Sequence, residues 1–176
     1  MRWRFRADPD AASFERVVLP HLDSAHNVAR WLVRDASLAE DVVQDAMLRA
    51  LSYYAGFRGG DARPWLLQIV RNVAYNVLAK RAQRAETSLD DDPSADAPDP
   101  ADDPEAALGK LQDLRQLDRA LAALPAELRE CIVLKELEEL SYKEIAQVTG
   151  VPIGTVMSRL WRARQALMRP SQGCEA

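Results

Sequence analysis

The chain has 176 residues, of which 48% are hydrophobic and 28% charged, a composition typical of globular proteins with a buried core. Its formal net charge of -4 would exclude a nucleic-acid partner if it were spread evenly, because cationic side chains are needed to hold a polyanion. However, the stretch from Glu86 to Glu105 contains nine acidic and no basic residues, which leaves 18 acidic and 23 basic residues elsewhere, a net charge of +5. The composition therefore does not exclude that the rest of the chain binds nucleic acid.

The two cysteines and two histidines form no metal-binding pattern. Cys131 and Cys174 are far apart in the sequence, and neither His21 nor His26 lies at a ligand spacing from them. The basic first residues are not followed by an apolar segment, and no apolar run is long enough to span a bilayer. We therefore expect a cytoplasmic protein with no metal, no cofactor and no membrane insertion.

The first part of the chain has the apolar spacing of helices. From Phe14 to Arg84 apolar residues recur every three or four positions, and Gly59-Gly60 is the main interruption. This pattern predicts three helices, at roughly 12–34, 38–54 and 62–84. Strand-like alternation is absent, so the predicted fold class is all-α.

The second predicted helix has an acidic outward face. Helical spacing puts Ala39, Val42, Val43, Ala46 and Ala50 on its inward side. The outward side carries Asp41, Gln44, Asp45 and Leu48. An acidic face repels DNA, so these residues form either a solvated surface or a docking site for another protein.

The third predicted helix carries a polar stripe opposite its apolar side. Gln68, Arg71, Asn72 and Tyr75 follow one another at i, i+3, i+4 and i+7. Amides, a guanidinium group and an aromatic ring together suit unpaired bases, because rings can stack and amides can read base edges. The stripe is a candidate contact for melted nucleic acid.

A tether separates this part from a second helical part. Four prolines alternate with Asp and Ala between Pro93 and Pro104, a composition that cannot bury enough apolar surface to fold. Helical periodicity resumes near Glu105 and continues to Met168, with breaks at Leu124-Pro125, Leu140-Ser141 and 150–152. These breaks predict four further helices.

The segment 141–160 is typical of a helix-turn-helix. Ser141 and Glu144 form a capping box, and Gly150 permits a tight bend before the next helix. On that helix the predicted inward face is Ile153, Val156, Leu160, Ala163 and Leu167, and the outward face is Gly154, Ser158, Trp161, Arg162 and Gln165. The outward face suits a major groove, with Arg159, Arg162 and Arg164 giving charge for phosphates or guanines. An ordinary helical pair with a solvated basic face is the alternative.

Nothing in the sequence predicts catalysis. There is no G-x-S-x-G motif and no phosphate-binding glycine loop, and Cys131 is expected to be a small core residue. We expect a protein that is not an enzyme and has no small-molecule substrate.

Together, these features resemble the extracytoplasmic-function sigma factors of the sigma-70 family, from about Phe14 to Met168. The segments 39–45 (AEDVVQD), 57–60 (FRGG) and 64–74 (PWLLQIVRNVA) look like region two of the family. The segments 124–130 (LPAELRE), 140–146 (LSYKEIA) and 154–164 (GTVMSRLWRAR) look like region four. The resemblance implies region two at 10–84, a flexible acidic linker at 85–106 that threads the polymerase active-centre cleft, and region four at 107–170. A simple spacer of suitable length is the alternative for the linker.

The resemblance also implies partners and contact residues. Core RNA polymerase would be bound through its beta-prime coiled coil by Asp41, Gln44, Asp45 and Leu48. The minus-10 promoter element, with one base flipped into a pocket, would be bound by Arg58, Arg63, Gln68, Arg71, Asn72 and Tyr75. The minus-35 element would be bound as duplex by Gly154, Thr155, Met157, Ser158, Arg159, Trp161 and Arg162, with region four resting on the beta flap. An anti-sigma factor would hold the protein inactive until a stress signal.

One residue departs from the family pattern. The position before Ser158 is commonly Lys or Arg in the family and is Met157 here. We therefore expect more apolar contact with the minus-35 element, to thymine methyl groups, and a shallower salt dependence.

Two other functions remain open on the sequence. A sigma mimic that sequesters an anti-sigma factor would not need the nucleic-acid-facing residues Arg71, Asn72 and Arg162. A helix-turn-helix repressor would bind duplex operators without polymerase, usually as a dimer, and would leave the first part of the chain unexplained.

Overall fold

The computed structural model describes residues 9–87 and 115–168. All regular elements in these two ranges are helices, which confirms the predicted all-α class. None of the described helices combines the length and apolar character needed to cross a bilayer. The predicted acidic linker lies outside the described residues apart from its first three positions, and Cys174 lies outside them as well.

The first helical unit contains a bundle of α-helices with two short 3₁₀ turns. In chain order these elements are α1 (Pro9–Val18), a turn at Leu19–His21, α2 (Leu22–Val33), α3 (Ala36–Tyr53), a turn at Tyr54–Gly56 and α4 (Ala62–Thr87). The predicted single helix at 12–34 is therefore wrong, because it is divided at the turn that contains Pro20. Proline has no amide hydrogen for the helical ladder, and it is tolerated in the first turn of a new helix.

The core of this unit lies where α2, α3 and α4 pack on one another. The predicted inward face of α3 is confirmed, since all five of its residues are buried. The apolar side of α4 is confirmed at Leu66, Ile69, Val70 and Val73, whereas Val77 is only half-buried because it lies farther along the helix. This packing leaves the opposite sides of α3 and α4 accessible.

Asp35 fixes the junction between α2 and α3. Its Oδ1 accepts a hydrogen bond from the Leu38 amide at 3.0 Å, and its Oδ2 accepts one from Arg81 on α4 at 3.3 Å. The Leu38 amide, with help from Arg81, holds the pKa of the Asp35 carboxyl below its ordinary value. The stabilisation from this carboxylate is therefore complete above its unfolded-state pKa and is lost as the pH falls through the lowered folded-state pKa.

Within residues 115–168 the structure has the four helices predicted from the sequence breaks. They are α5 (115–123), α6 (Ala126–Ile132, continued as a π-helical turn at Val133–Leu137), α7 (Tyr142–Thr149) and α8 (Ile153–Met168). The predicted capping box is present: the Ser141 amide donates to Glu144 Oε2 at 2.7 Å, and the Glu144 amide donates to Ser141 Oγ at 3.3 Å. Gly150 has a φ of 72° between α7 and α8, as the predicted bend requires.

Glu139 has a positive φ of 53°, in the left-handed region that favours glycine. We expect Glu139→Gly to raise the free energy of unfolding of this unit by about 0.5–1 kcal/mol, because it relieves backbone strain at an exposed position. The control is Gln147→Gly on exposed α7 helix, where glycine should lower that free energy by about 1 kcal/mol. Urea unfolding followed by circular dichroism measures both changes, and equal signs for the two variants would contradict the prediction.

Candidate nucleic-acid and protein interfaces

The outward face of α3 combines acidic and apolar groups. Asp41, Gln44 and Leu48 are exposed, as predicted, and Asp45 is partly exposed. Asp45 Oδ1 accepts a hydrogen bond from Arg49 Nε at 3.1 Å, and Asp45 Oδ2 forms an ion pair with Arg49 Nη2 at 3.0 Å. The hydrogen bond from Arg49 to Asp45 raises the pKa of the Arg49 guanidinium. The face therefore presents Asp41, Leu48 and a partly neutralised Asp45, a mixture suited to a protein surface with basic groups.

An open surface pocket of about 650 Å³ lies between the end of α3 and the first half of α4. Its lining residues are Ser52, Tyr53, Gly56, Trp65, Gln68, Ile69 and Asn72. The pocket brings together Gln68 and Asn72, which the sequence placed on one polar stripe. Aromatic rings and amides around one opening can take up a planar base, because the rings stack on its face and the amides bond its edge.

The other two residues of the predicted stripe, Arg71 and Tyr75, do not line the pocket but contact each other. The Arg71 guanidinium carbon lies 4.6 Å from the centre of the Tyr75 ring, a cation–π arrangement. Both side chains are half-buried. A stacked guanidinium and ring form a flat surface that suits further bases or the backbone of a single strand.

Sequence reasoning missed the α3 side of the pocket. Ser52 and Tyr53 were absent from the predicted site, and Trp65 entered only as part of a family motif. Tyr53 is 57% exposed, although tyrosine is usually partly buried. The sequence signal that could have indicated this side of the pocket is the tyrosine pair at 53–54, which is followed closely by a glycine-rich loop.

The loop that joins the second 3₁₀ turn to α4 begins at Phe57 and holds two predicted basic contacts. Gly59 and Gly60 have φ values of 83° and 93°, which few other residues adopt. Arg58 is exposed in this loop, whereas Arg63 is half-buried in the first turn of α4. Neither lines the pocket, and both stay predicted candidates for phosphate contact.

The outward face of α8 carries large apolar side chains beside polar ones, as predicted. Trp161 is 65% exposed and Met157 is 53% exposed, and Gly154, Ser158 and Arg162 share this accessible side. The prediction that Ile153 faces inward is wrong, because its side chain is 45% exposed. Ile153 is the first residue of α8 and lies at the edge of the buried face of this helix, which contains Val156 and Leu160.

The basic residues of α8 differ in what they contact. Arg159 is only 11% exposed and donates to Glu127 of α6 at 2.8 Å. Arg164 donates to Glu136 at 2.7 Å, and this hydrogen bond raises the pKa of the Arg164 guanidinium. Ser158 Oγ donates to the Thr155 carbonyl at 3.0 Å, with Thr155 half-buried. Arg162 is therefore an exposed basic side chain beside Trp161, while Arg159 and Arg164 form ion pairs with Glu127 and Glu136.

Metal-binding geometry is absent from the described residues, where no three or more potential His, Cys, Asp or Glu ligands come together. Cys131 is buried, in agreement with the predicted core position. The candidate surfaces in the described residues consist of aromatic, amide and charged groups.

Comparisons of the sequence identify two family segments and several relatives. The family model for sigma-70 region 2 matches residues 17–84, and the family model for sigma-70 region 4 matches residues 114–167. The RNA polymerase sigma-H factor of Pseudomonas aeruginosa is 33% identical over 173 residues, covering 93% of this chain and 88% of that protein. The ECF RNA polymerase sigma-E factor of Escherichia coli K12 is 38% identical over 152 residues, covering 81% and 79%.

Two solved structures are similar to this chain. The sigma factor RpoE of Bartonella quintana, crystallised with the anti-sigma factor NepR, is similar with a TM-score of 0.77 and 32% identity, covering 88% of this chain and 94% of that one. CnrH, solved in complex with the cytosolic domain of CnrY, has a TM-score of 0.60 and 26% identity, covering 89% and 85%.

Proposed function

The chain belongs to the extracytoplasmic-function sigma factors of the sigma-70 family, which are transcription initiation factors and not enzymes, and we propose that it directs core RNA polymerase to promoters with separate minus-10 and minus-35 elements. The observation that carries this proposal is the pocket lined by Tyr53, Trp65, Gln68 and Asn72. A subunit that only sequestered another protein would have no use for a pocket suited to a base.

We assign region two to 10–84, the acidic linker to 85–106 and region four to 107–170. The segments matched by the family descriptions, 17–84 and 114–167, lie inside the two regions and support this division. The linker would pass through the polymerase active-centre cleft. Its acidic composition supports this proposal, because a polyanion can occupy a basic groove that otherwise holds nucleic acid.

Region two would open the promoter by trapping a flipped base of the non-template strand. Tyr53 and Trp65 would stack on the base, and Asn72 and Gln68 would bond its edge. Stacking on an aromatic side chain contributes about 1–3 kcal/mol per base, and flipping costs a few kcal/mol, so capture together with neighbouring contacts can favour the melted state. Arg71 with Tyr75, and Arg58 with Arg63, would hold the adjacent strand.

Region four would place α8 in the major groove of the minus-35 duplex. Gly154 supports close approach of the backbone, since a Cβ built there meets no heavy atom within 4 Å. Trp161 and Met157 offer apolar surface to thymine methyl groups, and Arg162 and Ser158 offer polar contacts. Thr155 and Arg159 remain on the proposed contact surface, with Arg159 reaching phosphate only by leaving Glu127.

The α3 face would bind the beta-prime coiled coil of core polymerase, through Asp41, Gln44, Asp45 and Leu48. The exposed leucine among acids supports this assignment, because interfaces combine an apolar centre with charged groups at the rim. The protein would then act in the cytoplasm, where polymerase meets promoter DNA.

An anti-sigma factor would be a regulatory partner that releases the protein on a stress signal. The support is the solved complex of the similar sigma factor RpoE with its anti-sigma factor NepR. Region four would rest on the beta flap of the polymerase once the protein is released.

Met157→Arg is expected to change the choice of minus-35 sequence. An arginine at this exposed position adds a cation that can bond guanine or phosphate, so selection should move from thymine toward guanine at one position by about 1–3 kcal/mol. The measurement is selection of minus-35 sequences from a randomised pool by holoenzyme, with the minus-10 element fixed. The salt dependence of promoter binding should also steepen. An unchanged sequence preference would contradict the assignment of Met157 to base contact.

Binding to a forked promoter tests the proposed function directly. The probe has a duplex minus-35 element and a single-stranded minus-10 element. We expect tight, sequence-specific binding only when core polymerase and this protein are both present. Strong binding of fully duplex DNA by the protein alone would favour a repressor, and core binding without any promoter binding would favour a sigma mimic.

A further inference from the structure

An aromatic row connects α1 to the pocket of the first unit. Phe14 of α1 meets Tyr54 edge-on, with ring centres 5.4 Å apart and planes at 89°. Tyr54 stacks on Phe57 at 5.9 Å, and Phe57 lies 4.9 Å from Trp65. Trp65 itself lines the pocket, so the row ends at the wall proposed to contact the flipped base.

A hydrogen bond fixes the middle of this row. The Ser13 hydroxyl lies 2.8 Å from the Tyr54 hydroxyl, across 41 positions of sequence. The bond and the Phe14 ring hold Tyr54 from the α1 side. The two adjacent tyrosines thus have different surroundings, because Tyr53 lines the pocket while Tyr54 packs between the rings of Phe14 and Phe57.

The row also holds the start of the adjoining loop, whose other end is fixed by a hydrogen bond from the Arg63 amide to Asp61 Oδ1 at 2.9 Å. Gly59 and Gly60 adopt positive φ, and residues 58–61 are exposed. Phe57 begins this loop and is held between the rings of Tyr54 and Trp65. A displaced Phe57 would therefore allow both the loop and the Trp65 wall to shift.

We propose that Tyr54 is a positioning residue for promoter opening: tied to α1 by Ser13 and Phe14, it holds Phe57 and Trp65 in the arrangement that captures a base. This inference rests on the proposed function and adds α1 to the opening machinery. Tyr54 touches no DNA in this arrangement and acts through Phe57 and Trp65.

The test compares promoter opening by holoenzymes that carry full-length variants. Tyr54→Ala should lower the equilibrium fraction of open complex about fivefold, the effect of losing aromatic pairs, while core affinity and closed-complex formation are unchanged. Tyr54→Phe keeps the ring and loses the hydroxyl, so it and Ser13→Ala should each lower opening about twofold to threefold. The Ser13→Ala, Tyr54→Phe double variant should be no worse than either single variant. Permanganate footprinting measures opening.

An abasic promoter distinguishes positioning from general destabilisation. Scanning abasic sites along the non-template minus-10 strand identifies the captured base as the position where the wild-type protein loses most opening. On that abasic promoter the wild type and Tyr54→Ala should open equally, because no base remains to be captured. Val28→Ala, which weakens the core of the same unit outside the aromatic row, should not show this convergence.

A gap between wild type and Tyr54→Ala that persists on the abasic promoter would overturn the inference, since Tyr54 would then be merely structural. Normal opening by both Tyr54→Phe and Ser13→Ala would remove the role of the hydrogen bond and overturn it as well. Failure of the wild type to bind core polymerase or open any promoter would instead refute the proposed function itself.

Discussion

Asp45→Arg is expected to weaken binding to core RNA polymerase by at least about hundredfold, because loss of a charged contact and introduction of a like charge at an interface cost several kcal/mol. Asp45 lies on the accessible side of α3 beside Gln44 and Leu48. The new arginine would also face Arg49, which now pairs with Asp45 at 3.0 Å. The fold should survive, since this ion pair is exposed and such pairs stabilise proteins little.

The affinity of core polymerase for fluorescently labelled protein measures this effect, with Asp23→Arg as the matched control. Asp23 is an exposed acid on α2 of the same unit and belongs to no proposed interface. Both variants change the net charge equally, so general electrostatics should affect them alike. Equal affinities for Asp45→Arg and Asp23→Arg would show that the acidic face of α3 is only solvated surface.

Asn72→Ala is expected to lower the fraction of open complex about tenfold while closed-complex formation stays unchanged, because one good edge contact to a base contributes about 1–3 kcal/mol. Asn72 lines the pocket with its side chain exposed, so its truncation removes no core packing. Alanine also favours the helix at this position. The loss should therefore appear only at the step where a base leaves the duplex.

Asn76→Ala provides the control for this variant. Asn76 is exposed one turn farther along α4 and does not line the pocket. Fluorescence of 2-aminopurine in the minus-10 element measures opening, and promoter binding under conditions that prevent melting measures the closed complex. Equal defects in both steps, or equal behaviour of Asn72→Ala and Asn76→Ala, would contradict base capture at this pocket.

Most of the helical framework could be predicted because its signals are local. Apolar spacing gave the inward faces of α3 and α4, and the Ser141 and Glu144 pair marked the start of α7. Pro20 was not recognised as a break, because proline is compatible with the first turn of a helix and the apolar periodicity continues across it.

The candidate sites were predicted only where one helix carries them. The stripe at 68–75 lies on α4 alone, so periodicity found Gln68 and Asn72. Ser52 and Tyr53 join them from the end of α3 across the loop, and that juxtaposition depends on tertiary packing. The pairing of Arg159 with Glu127 joins residues 32 positions apart, which no local pattern reveals.

Run-off transcription by purified core polymerase, with and without this protein, on a pool of promoters from its own genome tests the central claim most directly. We predict transcripts that depend on the protein, start at defined positions and share conserved upstream minus-10 and minus-35 sequences. Two results would contradict the account: core polymerase does not bind the protein, or it binds the protein and starts no transcript from any promoter of the pool.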